Sequence, residues 1–182
     1  MNNFANAIGF WILSAANLAW SVEPNMYAAE TPRVIKALSA DEVQSYLTGK
    51  GAGLARAAEL NHYPGPAHVL ELAEPLGLSP AQKAHTQQIF GDMQKDAIRQ
   101  GENLVEQERA LDQEFASNSI NPEKLRERLA EIGRLQAQVR EAHLQAHLKQ
   151  KALLTAQQIQ KYDELRGYTS KAPSNSHDRH NR

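Results

Sequence analysis

His143 and His147 stand four residues apart in a stretch, 134–166, that contains neither proline nor glycine. On an α-helix that spacing turns both imidazoles to one side, where two nitrogen donors can share a metal ion. Counted around the helix, they fall about 40 and 80° from Val139, on the margin of an apolar stripe. The same spacing also serves as the plain polar flank of a packed helix. If the chain turns back near Asn118, residues whose numbers sum to roughly 237 face one another, since both helices rise equally per residue. His143 then meets the neighbourhood of Asp92, Met93 and Gln94, and His147 meets Phe90, with His85 about one turn further along. His85 and Met93 are therefore the candidate completing ligands. Imidazoles joined by a thioether or carboxylate suit divalent nickel, cobalt, copper or zinc. The chain has no cysteine, so any such centre must draw on His, Met and carboxylates. His62 and His68 are looser N-terminal partners, and His177 and His180 belong to a polar tail.

No other chemistry is legible. There is no nucleophile with a companion base, no phosphate loop and no HExxH pairing of ligands with a general base. The acidic residues alternate with Lys and Arg at helical spacings, as on a solvated face. With 20 basic and 21 acidic residues well mixed, the chain lacks the basic face that nucleic acid requires. The expectation is a non-enzymatic protein without an organic cofactor.

The elements that position the histidines announce themselves by their ends. Ser79 is a helix cap with Pro80 at the first helical position, where its missing N–H costs nothing. From there to Ala116 the only interruptions are Gly91 and Gly101. Residues 117–120 make a turn, Asn121-Pro122 repeats the cap-plus-proline device, and the next helix runs to about Leu153. Thr155 caps a last short helix ending near Gly167. Upstream, Ser39 opens a helix to about Leu47, a second spans roughly Leu54–Leu60 and a third Ala67–Leu76. Ile89, Phe90, Met93, Ala97, Leu104, Leu111 and Phe115 form one stripe of the first long helix. Leu125, Ile132, Leu135, Val139, Ala142, Ala146 and Leu153 form its counterpart. Ile98 and Val105 make a smaller pair off the first stripe. Ala130, Gly133, Ala137, Leu144 and Leu148 lie on the back of the second helix, which needs a cover: the N-terminal helices, a second copy, or a client. The fold class is all-α: a long antiparallel helical hairpin with short N-terminal helices and a short C-terminal helix.

Residues 1–21 are uncharged with an apolar centre, and Ala19-Trp20-Ser21 suits cleavage before Val22. They read as a signal peptide or N-terminal anchor, although no Lys or Arg precedes the apolar run. Residues 22–77 form the short-helix segment, 78–168 the hairpin domain, and 169–182 a disordered tail.

The two helix-start phrases are near copies, Leu78-Ser79-Pro80-Ala81-Gln82 and Leu154-Thr155-Ala156-Gln157-Gln158. Bracketing a helical hairpin, the pair resembles the LTxxQ family of bacterial periplasmic stress proteins. That family includes Spy and CpxP chaperones and adaptors and the metal-binding ZraP and CnrX proteins. Its motif falls here on Leu78, Ser79, Gln82, Leu154, Thr155 and Gln158, with Ser79 in place of threonine. The resemblance implies a periplasmic protein whose hairpins form a curved homodimer, and a heavy-metal-responsive sensor or resistance function centred on the histidines. It equally implies the alternative of an ATP-independent chaperone, or an adaptor restraining a membrane-bound sensor kinase. Unfolded clients would then meet Leu144, Leu148, Arg126, Arg134 and Arg140. The chain departs from metal-binding members in lacking dense His/Met clusters.

Overall fold

The computed structural model describes residues 27–169, so the leader expected over 1–21 and the tail beyond 169 lie outside the described residues. The chain divides into two units, 1–31 and 32–182. In the first, the described residues hold one 3-10 turn, Ala28–Glu30. The second contains α1 (Ala40–Leu47), α2 (Arg56–Glu59), α3 (Pro66–Glu71), α4 (Pro80–Ala116), α5 (Pro122–Leu153) and α6 (Ala156–Arg166). No strand occurs among the described residues, and none of their helices is long and apolar enough to cross a membrane.

Helix starts follow the capping chemistry. Ser79 Oγ accepts the Gln82 N–H at 3.2 Å while Gln82 Oε1 accepts the Ser79 N–H at 3.1 Å. Thr155 and Gln158 repeat the exchange at 3.2 and 3.0 Å, and Ser39 with Glu42 makes a third box. Asn121 Oδ1 takes the Lys124 N–H at 2.9 Å, which opens α5 directly after the turn. Gly167 ends α6 with φ of 73°, a left-handed conformation that favours glycine. The two long helices extend roughly 55 and 48 Å at about 1.5 Å per residue. α2 and α3 are shorter than their sequence pattern predicts. Pro66 fixes the start of α3, and the chain from Leu72 to Gly77 continues as turns rather than helix.

α4 and α5 pack together, the end of one beside the start of the other: Arg128 pairs with Glu114 at 3.0 Å, and Gln150 Nε2 donates to Thr86 Oγ1 at 3.1 Å. Leu104, Ile132, Leu135 and Val139 form the core between them, with Ala97 and Ala146 also buried. A second core of Val69, Leu76, Leu154 and Tyr162 joins α3 and α6. Phe115, expected in the stripe, is 53% exposed near the turn, whereas Val105, expected off it, is buried at 2%. α1 packs against α4, where any side chain at Gly101 would run into the Tyr46 carbonyl. α1 thus covers part of α4, and the back of α5 keeps Leu148 at 51% exposure.

Candidate functional site

Both α5 histidines are buried, His143 at 4% and His147 at 8% exposure. What buries them is the segment 49–66, which crosses over α5. Gly51 stands against the His143 ring, a Cβ there lying 3.6 Å from Cε1 and Nδ1. At Gly65 a Cβ would come within 2.9 Å of His147 Cε1, so the chain passes over that ring only as glycine. Between the segment and the long helices lies a cavity of about 740 Å³, walled by both histidines with Phe90, Met93, Glu59 and Pro66. Its volume is that of a small-molecule site.

The tautomer of His147 follows from its partner. His147 Nδ1 lies 2.7 Å from the Tyr63 carbonyl, which can only accept, so Nδ1 carries the hydrogen. In the neutral ring Nε2 is then an unprotonated donor of electrons, and a carbonyl behind the distal nitrogen is the usual support of a metal-ligating histidine. Tyr63 is itself held by Lys151, whose Nζ sits 3.6 Å from the ring centroid. His143 Nε2 is buried with no hydrogen-bond partner. Burial, and secondarily the neighbouring His147, push the His143 imidazole below its usual 6.5, so it is neutral at pH 7.

Glu59 was not singled out by sequence reasoning, yet it organises this end of the molecule. Its Oε1 accepts the hydroxyls of Tyr162 and, at 3.0 Å, of Tyr168, with Arg166 Nε 3.7 Å away. Its Oε2 is buried without a donor and lies 3.6 Å from His147 Nδ1. Burial and the Glu59 carboxylate raise the Tyr162 phenol far above its usual range. One signal was available: Glu59 is the only acidic residue between Glu42 and Glu71, in a stretch rich in Gly and Pro.

The other expected residues divide. Met93 reaches the cavity, whereas His85 is exposed on α4 and is not among the residues that wall it. His68 lines the cavity and bonds Glu71 at 3.0 Å, and His62 bonds Asp163 at 2.8 Å. Among the described residues no three His, Cys, Asp or Glu side chains converge closely enough to hold an ion. Arg126, Arg134 and Arg140 are exposed on α5, Arg134 engaged by Glu131 at 2.8 Å, and Leu144 is half-buried. The glutamines of the two capping boxes do more than cap: Gln82 Nε2 donates to Gln158 Oε1 at 2.8 Å and Gln158 Nε2 returns a bond to Gln82 Oε1 at 3.1 Å. Gln82 also donates to the Leu153 carbonyl at 3.1 Å. Leu78 and Leu154 pack in the α3–α6 core beside them. Compared with protein-family models, curated proteins and solved structures, the chain matches none.

Proposed function

We propose that this is a non-enzymatic, periplasmic heavy-metal-responsive protein of LTxxQ type that binds a divalent transition metal through His143 and His147. The observation that carries the reading is the pairing of two buried imidazoles on one wall of a cavity, one with its Nδ1–H committed to a carbonyl. The donor set fits such an ion in part. His143 and His147 supply two nitrogens, Met93 offers a soft thioether on the same cavity, and further positions fall to water or a partner. When bound, the metal would supply an assembly or signalling cue rather than catalysis. The protein's part is to keep the His143 ring unprotonated and the His147 ring oriented. Calorimetric titration of Ni, Co, Cu and Zn into untagged protein tests this beside a His143→Ala/His147→Ala double variant. Micromolar or tighter binding that weakens at least tenfold in the variant is expected. Binding of equal strength in both proteins overturns the site.

A second reading has its own support. α5 presents exposed Leu129 and Leu148, at 52% and 51%, on a helix flanked by exposed arginines. In that reading the two long helices form the LTxxQ hairpin, two chains make a curved homodimer, and the exposed face holds unfolded clients or restrains a membrane-bound partner. Its test is suppression of client aggregation by metal-free protein, with Leu148→Glu expected to abolish it. Suppression unchanged by Leu148→Glu would remove this face from the client surface.

A further inference from the structure

A metal ion would leave most of the cavity over the histidines unused. It encloses about 740 Å³, against roughly 30 Å³ for one water. Leu60, Pro66, Ala67, Phe90 and Met93 give it an apolar wall that gains by covering an apolar body. Among the described residues that line it, the one acid is Glu59, whose carboxylate is already met by the Tyr162 and Tyr168 hydroxyls and by Arg166. The cations Lys50 and Arg56 line it too, and neither enters an ion pair among the described residues. Between these two run Gly51, Ala52 and Gly53, on the same wall. Ala52 has φ of 39° and Gly53 of 85°, two positive values in succession, the first of them uncommon for alanine. No carbonyl takes the N–H of Gly51, Ala52 or Gly53 among the described residues. Successive unbonded N–H groups in a turn of this kind make an anion-binding concavity. Arg56 adjoins it: a Cβ at Gly53 would lie 3.1 Å from guanidinium Nη2, so that head group rests against the loop.

We infer that this cavity binds an organic anion with an apolar body, of the class of medium-chain fatty carboxylates. The carboxylate sits on the loop 51–53, accepting from its unbonded N–H groups and from the Arg56 guanidinium, with Lys50 as a second positive charge. Bonds of this charge-assisted kind are about twice as strong as neutral ones. The alkyl chain lies along Phe90, Met93 and Pro66, out of water. The anion is held by backbone and cations rather than by the imidazoles. It therefore binds in the presence of chelator, and its failure says nothing against the metal reading.

Calorimetry on the full chain in EDTA at neutral pH tests this with decanoate, decanol and decyltrimethylammonium, which share one chain length and differ in charge. Decanoate is expected to bind saturably at one site, and the other two at least tenfold more weakly. Acetate, which carries the charge without the chain, should also bind at least tenfold more weakly. Lys50 and Arg56 are both exposed, so Lys50→Gln/Arg56→Gln leaves the packing untouched. That variant should bind decanoate no better than decanol, with decanol itself unchanged. No saturable binding of decanoate overturns the assignment. So does equal binding of decanol, the ammonium probe or acetate, or a variant that keeps the wild-type preference for decanoate.

Discussion

Burial holds the His143 imidazole below its usual value of 6.5, with His147 adding a smaller push in the same direction. In the unfolded chain that ring takes its proton near 6.5, whereas in the folded protein it does so only at lower pH. The unfolded state therefore binds more protons across that window, and stability rises with pH. The contribution is complete above 6.5 and is lost as pH falls through the depressed folded value. Urea midpoints measured in a pH series should decline below pH 6.5, and His143→Gln should flatten that decline. A decline of the same slope in the variant would assign it to other groups. The Tyr162 hydroxyl, on a fully buried ring, donates to the Glu59 carboxylate. Tyr162→Phe keeps the ring and removes the donor, leaving Oε1 with Tyr168 as its only hydroxyl donor. Loss of one hydrogen bond to a charged group costs about 1.5–3 kcal/mol, readable as a lowered denaturation midpoint with an unchanged slope.

Gln82 opens α4 and Gln158 opens α6, yet their amides bond each other in both directions, which ties together two elements 76 residues apart. Each glutamine also serves its own cap, so single replacements mix two losses. A double-mutant cycle with Gln82→Ala and Gln158→Ala separates them. Coupling of about 0.5–3 kcal/mol is expected for amides in direct contact, and additive losses would reduce the pair to two independent caps. These boundaries were legible in the sequence because caps are local: Ser79-Pro80, Asn121-Pro122 and Thr155 mark the helix starts found in the fold. α2 and α3 were overextended because propensity says little in short segments crowded with Gly and Pro, where tertiary contacts decide. The site divides along the same line. Helical spacing placed His143 beside His147, and the register of two long helices brought Met93 to them. Glu59 escaped because its bonds run to Tyr162 and Tyr168, the latter 109 residues away. His85 shares the sequence register but stays exposed, since Phe90, Met93 and the 49–66 segment close the cavity without it.

At the scale of the molecule, α5 is used differently on its different sides. One side carries the histidines under the 49–66 segment, and another, with Leu148 and Ala130 about 100–140° around the helix and Ala137 and Gly133 nearer, is in the open. A stripe of small residues ending in an exposed leucine lets another helix approach closely, and a net charge of −1 opposes association only weakly. The metal reading and the client or dimer reading therefore call on separate surfaces, and substitutions on one should spare the other. Ala137→Glu/Leu148→Glu adds charge where both residues are already exposed, so it should change stability by no more than about 0.5 kcal/mol. In sedimentation velocity over a concentration series, the wild type should associate and this variant remain monomeric, while the variant's metal titration stays that of wild type. His143→Ala/His147→Ala should give the converse, lost metal binding with association intact. If the charged face instead abolished metal binding, the cavity would depend on assembly, and the ion would be held by the associated form alone. If wild type stays monomeric at every concentration, the exposed stripe has no role in pairing copies of this chain.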